Sequence, residues 1–177
     1  MPDAGSWSDD IFEAMRKRNI DTVATVPDAG LTRILNKTDE TPGMNVVTLT
    51  TEEEGVAVVT GLWLGGRRGL LAMQSSGVGN TINALGLPLA YRAPCLMLVT
   101  MRGQWGEFNS WQVPMGQATP AVLAAMGVKV FPVSEPAMAG ETFAAAADLA
   151  FNGRFSAAVL IGQRVIGTKT FETGDAK

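Results

Sequence analysis

Short apolar runs alternate with amphipathic segments along nearly the whole chain. The runs occupy residues 22–26, 46–49, 70–73, 96–100, 128–131 and 157–161, and apolar residues predominate in them without a strict alternation with polar ones. A strand that is apolar on both sides must be covered on both faces, which is typical of parallel sheets. The alternation therefore predicts an α/β fold, a three-layer doubly wound sheet of six mainly parallel strands.

Capping residues and periodicity place the helices between these strands. Ser8 is expected to cap the first helix. A helix is expected over residues 52–64, where two glycines follow, and a single helix over 78–90. Residues 101–117 are expected to be irregular, until Thr119 caps the next helix. We assign residues 1–167 to one domain and 168–177 to a polar tail.

Composition excludes several classes of chemistry. The chain has 14 basic and 17 acidic side chains and no histidine. This balance offers no basic surface for nucleic acid, and the lack of imidazole excludes a Ser-His-Asp triad or a histidine zinc site within the chain. Cys95 is the only cysteine, so no internal disulfide forms. With neither an export signal nor a membrane span in view, we expect a cytoplasmic protein that binds no membrane.

Four segments follow the predicted strands: residues 27–30, 50–54, 74–80 and 101–117. Ligands of parallel α/β sheets bind beyond the carboxyl ends of the strands, so these segments form the candidate site. The three consecutive glutamates at 52–54 suit a helix start, where the dipole favours acids. Alternatively, one of them turns inward and exchanges a proton, with its pKa raised by burial.

The other segments also allow two interpretations. The turn at 74–80 contains two glycines, which favour either a ligand loop or a tight turn, and it matches neither a P-loop nor a dinucleotide fingerprint. Asp28 either caps the following helix or faces the site. Trp105 and Trp111 suit an interface, although a packed surface loop is the alternative.

Taken together, three motifs resemble the pyrimidine-binding domain of thiamine diphosphate enzymes. They are Thr51-Glu52-Glu53-Glu54-Gly55-Val56-Ala57, Met73-Gln74-Ser75-Ser76-Gly77-Val78-Gly79-Asn80, and Arg102-Gly103 with the later Gln112-Val113-Pro114-Met115-Gly116. More narrowly, residues 8–162 resemble the α subunits of sulfopyruvate decarboxylases. The resemblance implies a six-stranded parallel sheet between helices, thiamine diphosphate as cofactor, and decarboxylation of a 2-oxo acid, sulfopyruvate, to sulfoacetaldehyde and CO₂.

The resemblance also implies roles for individual residues. In these enzymes the domain supplies one glutamate that hydrogen-bonds the aminopyrimidine ring and is shielded from water. The Glu-x-Gly pattern and the distance from the glycine turn place this role on Glu53. The other cofactor-binding residues are expected to be Pro27, Gly77, Gly79 and Asn80. The residues expected to bind substrate are Asp28, Gln74, Ser75, Ser76, Arg102 and Gln112.

Two features depart from the family pattern. Met101 precedes Arg102-Gly103, where these α subunits often carry histidine. The Gly-Asp-Gly motif of the magnesium-holding half is missing, since Gly174-Asp175 lacks the third glycine. The resemblance therefore implies that the cofactor and Mg²⁺ bind against a separate β subunit, which supplies the metal ligands. The assembly is expected to be α₂β₂ or larger, with a homodimer when the chain is expressed alone.

Other functions remain open at this level. A phosphonopyruvate decarboxylase, or one for another 2-oxo acid, shares the same motifs. Met101 in place of histidine leaves room for a non-catalytic regulatory or scaffold subunit. Without the resemblance, a flavodoxin-like module that binds phosphate at its glycine turn is a third reading.

Overall fold

The computed structural model describes residues 5–167, so the polar tail assigned to 168–177 lies outside the described residues. The six strands are β1 (Ile20–Thr25), β2 (Asn45–Thr48), β3 (Arg68–Gln74), β4 (Cys95–Thr100), β5 (Lys129–Val133) and β6 (Ser156–Ile161). They form one sheet in the order β2-β1-β3-β4-β6-β5, and every pairing is parallel. The α/β fold predicted from the alternation is confirmed.

Eight α-helices accompany the sheet within residues 5–167. They are α1 (Gly5–Lys17), α2 (Thr32–Glu40), α3 (Glu52–Leu64), α4 (Ser75–Thr81), α5 (Gly86–Tyr91), α6 (Val113–Ala125), α7 (Ala139–Gly153) and α8 (Gln163–Ile166). None of them is long and apolar enough to cross a membrane.

Two apolar clusters cover the two faces of the sheet. On one face α1, α2 and α7 pack through side chains such as Ile11, Ile34 and Phe143. On the other, α3, α4 and α6 pack through Val56, Val78 and Leu123. Both faces are covered because the strand residues are apolar on both sides: four consecutive residues of β3, at 70–73, are fully buried and divide between the two clusters.

The order of the strands locates the crevice in which such sheets bind ligands. The chain leaves β1 toward β2 at one edge and then crosses back, so β3 lies on the other side of β1. Connections that diverge in this way open a crevice at the carboxyl ends of β1 and β3. Residues 26–30 and the start of α4 flank that crevice, and both belong to the segments chosen from the sequence.

The predicted helix over 78–90 is wrong in detail, because the segment forms two short helices, α4 and α5, separated by a turn at 82–85. Pro88 explains the break. It has no N–H to donate to the carbonyl of Ala84, and its ring would clash with that carbonyl in a continuous helix.

Two predicted caps are also wrong. Ser8 lies inside α1, which begins at Gly5, and it is buried. Thr119 lies inside α6, where its hydroxyl donates to the Met115 carbonyl at 2.7 Å. This helix begins at Val113 with Pro114 in its first turn, a position that suits proline because the N–H there has no partner within the helix. The irregular segment is therefore shorter than predicted.

Candidate functional site

The three consecutive glutamates at the start of α3 point in three directions. Glu52 is 6% exposed, whereas Glu53 is exposed to solvent. Glu54 turns back and accepts hydrogen bonds from the backbone N–H and the hydroxyl of Thr50. The Thr50 hydroxyl, followed by its backbone N–H, accounts for a Glu54 pKa below its ordinary value.

Helix periodicity explains why Glu52 is the buried member. Residues three, four and seven positions further along a helix share its face. For Glu52 these are Gly55, Val56 and Val59, all buried against the sheet. Gly55 lets the helix approach closely, because a Cβ there would lie 2.8 Å from the Leu49 Cδ1 atom.

The Glu52 carboxylate lies on the glycine turn. The Asn80 side-chain amide donates to its Oε2 atom at 2.8 Å. A Cβ built on Gly77 would lie 2.5 Å from the Glu52 Cδ atom, so a side chain at this position would displace the carboxylate. The predicted cofactor residues Gly77 and Asn80 are thus brought together with Glu52.

The role predicted for Glu53, at a cofactor between this chain and a partner subunit, stays a prediction, because the structure contains this chain alone. The Glu53 side chain is exposed, and its backbone N–H donates to the Thr51 hydroxyl, which caps the helix, at 3.3 Å. The Glu-x-Gly pattern favoured Glu53, but the helix turns that position outward, with Ala57, which is also exposed. The structure places the shielded carboxylate one residue earlier.

Asp28 and Arg102 form a buried ion pair beside the same turn. The Arg102 Nη2 atom lies 2.6 Å from the Asp28 Oδ1 atom, and the two side chains are 6% and 7% exposed. The other oxygen of Asp28 accepts from the Thr100 hydroxyl at 2.9 Å and from the Gly30 N–H at 3.1 Å. Asp28 therefore both caps a turn and faces the site, so the two readings of the sequence hold together.

The remaining predicted substrate residues surround Arg102. Its backbone N–H donates to the Ser75 hydroxyl at 2.9 Å, so Ser75 is buried and engaged. Gln74 receives long contacts of 3.5 Å from the Arg102 Nε atom and from the Gln112 amide. Ser76 is half-buried.

Two further residues meet in a small pocket next to Arg102: Glu107, which lies in the candidate segment 101–117 but was given no role there, and Gln163, which the sequence analysis missed. Glu107 accepts from the N–H groups of Gly103 and Asn109, at 3.1 and 2.9 Å, and from the Gln163 amide at 2.9 Å. Desolvation raises the Glu107 pKa, but these hydrogen bonds and the Arg102 charge outweigh it, so the pKa lies below its ordinary value.

Gln163 holds the irregular segment in place. Its side-chain carbonyl accepts from the N–H groups of Gln104 and Trp105, both at 2.9 Å, and the Gln104 side chain accepts in return from the Gln163 N–H. Gln163 follows the carboxyl end of β6. The rule that selected segments after strand ends would have found it, had it been applied to the last strand.

The glycines of the later motif serve close packing. Gly103 has a φ of +72°, and a Cβ there would lie 2.6 Å from the Val113 Cα atom. A Cβ on Gly116 would overlap the Arg102 carbonyl. Both glycines therefore let α6 rest on the backbone that carries Arg102.

Other predicted residues lie at the edges of this site or away from it. Pro27 and Gly79 are exposed, and a Cβ on Gly79 would lie 3.2 Å from the Met115 Sδ atom. Trp105 and Trp111 are 48% and 74% exposed. The described residues contain no cluster of three side chains that would hold a metal ion.

Cys95 and Met101 are fully buried. Burial raises the pKa of the Cys95 thiol to about 12, as expected for an inert core cysteine. The Met101 side chain belongs to the apolar cluster under α3, α4 and α6 and thus packs in the core.

The fold and the site together point to one class of protein: a parallel α/β domain in which a buried carboxylate lies against a glycine turn near the carboxyl ends of β1 and β3. Residues 6–120 match the family described as thiamine pyrophosphate enzyme, N-terminal TPP binding domain. The chain belongs to this family. The resemblance carried by the glutamate, glycine-turn and Pro-Met-Gly motifs is thereby confirmed.

Particular relatives narrow the comparison. The sulfopyruvate decarboxylase subunit alpha of Methanococcus maripaludis is 36% identical over 155 residues, which are 87% of this chain and 93% of that protein. The subunit alpha of Methanothermobacter thermautotrophicus is 34% identical over the same length, 87% of this chain and 94% of that protein. A phosphonopyruvate decarboxylase of Streptomyces viridochromogenes is 37% identical over 99 residues, 55% of this chain and 25% of that protein.

Solved structures support the fold. Benzoylformate decarboxylase from Polynucleobacter necessarius matches with a TM-score of 0.67 at 17% identity, over 97% of this chain and 32% of that one. The 2-oxoglutarate:ferredoxin oxidoreductase of Magnetococcus marinus matches with a TM-score of 0.70 at 15% identity, over 91% and 29%. This chain therefore spans about a third of each of those proteins.

Proposed function

We propose that this chain is the α subunit of a thiamine diphosphate-dependent decarboxylase that converts sulfopyruvate to sulfoacetaldehyde and CO₂. The observation that carries the proposal is Glu52, a carboxylate shielded from water that occupies the space where a Gly77 side chain would lie and that accepts a hydrogen bond from Asn80. We also propose that Glu52, rather than Glu53, is the glutamate that contacts the aminopyrimidine ring.

The residues present fit such a cofactor. The Asn80 amide occupies the Oε2 atom of Glu52, while no hydrogen bond among the described residues reaches its Oε1 atom. Gly77 leaves room for the Glu52 side chain, because a Cβ there would lie 2.5 Å from the Glu52 Cδ atom. The cofactor, when bound, supplies a thiazolium ring that acts as an electron sink while CO₂ leaves.

This chain's own groups then have defined tasks. Asn80 orients the Glu52 carboxylate, and the Oε1 atom is the one we assign to share a proton with a ring nitrogen. Glu52 lies on the buried face of α3 together with Gly55 and Val56, so its carboxylate is largely shielded from water. Asp28, held by Arg102, is a second acidic group at the carboxyl end of β1.

The sulfopyruvate assignment rests on the relatives that this chain matches almost from end to end. Two separate α subunits of sulfopyruvate decarboxylases align with this chain over at least 93% of their length. The phosphonopyruvate decarboxylase aligns over 25% of its length. A chain of this size and pattern is therefore better explained as a subunit of a split sulfopyruvate enzyme.

The same proposal includes a partner. We propose a β subunit that carries the diphosphate-binding domain and supplies the Mg²⁺ ligands, in an α₂β₂ or larger cytoplasmic assembly. The α subunit names of the relatives support a partner chain. Exposed Trp105 and Trp111, in and next to the irregular segment near the site, are suitable contacts.

A pair of matched variants tests the proposal. Glu52→Gln and Glu53→Gln each remove one charge from adjacent positions, but only the first changes the buried carboxylate. In the reconstituted complex we expect Glu52→Gln to lower kcat by about 10²–10⁴-fold, the range for losing a positioned proton-transfer group. Glu53→Gln is expected to stay near the wild-type kcat, and co-purification should show that both variants still assemble.

The pattern of results separates the alternatives. Loss of activity in Glu53→Gln alone would restore the assignment made from the Glu-x-Gly pattern. A wild-type complex that assembles but decarboxylates neither sulfopyruvate nor phosphonopyruvate would indicate a scaffold subunit. Activity on phosphonopyruvate in preference to sulfopyruvate would correct the substrate and leave the Glu52 assignment in place.

A further inference from the structure

Arg102 is the cation of a small pocket at the carboxyl ends of β3 and β4. Gln74, Glu107, Gln112 and Gln163 are among the described residues that line this pocket with it. Because it is positively charged, Arg102 is an obvious candidate to bind the acid group of a substrate. The contacts of Arg102 argue for a different task.

The charge of Arg102 is already balanced inside the protein. The guanidinium forms its 2.6 Å ion pair with Asp28, and both side chains are more than nine-tenths buried. The positive charge of Arg102 also contributes to the lowered pKa of the Glu107 carboxyl group. One cation thus faces two acids, and an incoming sulfonate would meet no net positive charge from these three groups.

Arg102 also connects the ends of three strands. Its guanidinium reaches Asp28, after β1, across 74 positions of the chain. Its backbone N–H reaches Ser75, after β3, while Arg102 itself follows β4. Gly103 and Gly116 have no side chains, so α6 can pack directly on the Arg102 backbone. This arrangement fixes the direction of the Asp28 carboxylate at the β1–β3 crevice.

We propose that Arg102 is a positioning residue that holds the Asp28 carboxylate oriented at the site, and that it does not anchor the substrate's sulfonate. The balancing cation for the sulfonate then comes from outside these residues, at the face where the partner subunit completes the site. This inference rests on the proposed function.

The test compares two substrates in the reconstituted complex, sulfopyruvate and pyruvate, which lacks the sulfonate. Arg102→Lys keeps the charge but loses the planar fork, and Arg102→Gln loses both. Asp28→Asn removes the negative charge with which Arg102 pairs. Arg67→Gln is the matched control, because Arg67 pairs with Asp21 at 2.8 Å in an exposed bridge at the opposite end of the same strands.

A positioning role makes a specific pattern. We expect both Arg102 variants to lower kcat by about 10–100-fold with both substrates, as for a catalytic group misplaced by about 1 Å. The ratio of the two kcat/KM values should stay within about threefold of wild type. Asp28→Asn should lower kcat too, and the Asp28→Asn/Arg102→Gln double variant should be no worse than the poorer single one. Arg67→Gln should resemble wild type.

If Arg102 instead bound the sulfonate directly, the kinetic constants would change in a different pattern. The kcat/KM for sulfopyruvate divided by that for pyruvate would then fall by tenfold or more in Arg102→Gln, through a higher KM for sulfopyruvate, with kcat for pyruvate unchanged. That result overturns the proposal, as does full additivity of the Asp28 and Arg102 substitutions.

The pairing can also be measured without activity. If the wild-type complex decarboxylates neither substrate, the proposed function fails, while thermal unfolding of the full chain still measures the coupling of Asp28 and Arg102. We expect the double variant to lose less than the sum of the single shifts in Tm. Additive shifts would refute the pairing independently of the enzyme's reaction.

Discussion

Replacing Gly77 with alanine should damage the site while the fold survives. The new methyl carbon would lie 2.5 Å from the Glu52 Cδ atom, whereas ordinary van der Waals contact begins near 3.4 Å. The carboxylate must therefore move by roughly 1 Å, which stretches the 2.8 Å hydrogen bond from Asn80. A displacement of that size at a reacting group costs about 100-fold in rate.

The cost in stability should be smaller. Loss of a hydrogen bond to a charged group is worth about 1.5–3 kcal/mol. Exchange of glycine for alanine within a helix returns about 0.5–1 kcal/mol. We therefore expect Gly77→Ala to lower the free energy of unfolding by about 1–2 kcal/mol, measured by urea denaturation, with kcat of the reconstituted complex falling about 100-fold.

Gly61→Ala is the matched control. Gly61 lies on α3 as well, and a Cβ there meets nothing within 4 Å. This variant should be more stable than wild type by about 0.5–1 kcal/mol and fully active. A Gly77→Ala complex with wild-type kcat would refute the reasoning, because it would show that the Glu52 position does not matter to the reaction.

Two further predictions concern Glu107 and Cys95. The hydrogen bonds and charge around Glu107 hold its pKa below 4.5, so its contribution to stability is present above pH 4.5 and is lost as the pH falls through the lowered pKa. Urea denaturation of wild type and Glu107→Gln should therefore differ at pH 7 and converge at acid pH; a difference that stays constant with pH would contradict this. Cys95, whose pKa burial raises to about 12, should not react with a thiol reagent at pH 8 until the protein is unfolded. Stoichiometric labelling of the native protein would show the opposite.

The strand-end segments of the site could be predicted because they depend on local patterns. Predominantly apolar runs indicate a parallel sheet, and the carboxyl ends of parallel strands meet at one edge. The segment 74–80 was expected on this basis, and the structure brings two of its residues, Gly77 and Asn80, to the glutamate at the start of α3. Gln163 likewise lies just beyond the carboxyl end of a strand, β6.

The choice among the glutamates required the packing of α3. All three suit a helix start equally well, so composition and spacing do not separate them. Glu52 shares the face of Gly55 and Val56, and that face lies against the sheet. The helical phase was readable in the sequence, but which face is buried depends on where the helix docks.

The alternation of apolar runs, the glycine turn and the membership of the thiamine enzymes were determined by the sequence itself, because each depends on neighbouring residues. The tertiary structure decided that Glu52 is the shielded acid and that Arg102 is held by Asp28. These two results depend on groups 28 and 74 positions apart in the chain, Glu52 with Asn80 and Asp28 with Arg102. Only the packed sheet brings such groups within hydrogen-bonding distance, since no local pattern records which of several charges will meet.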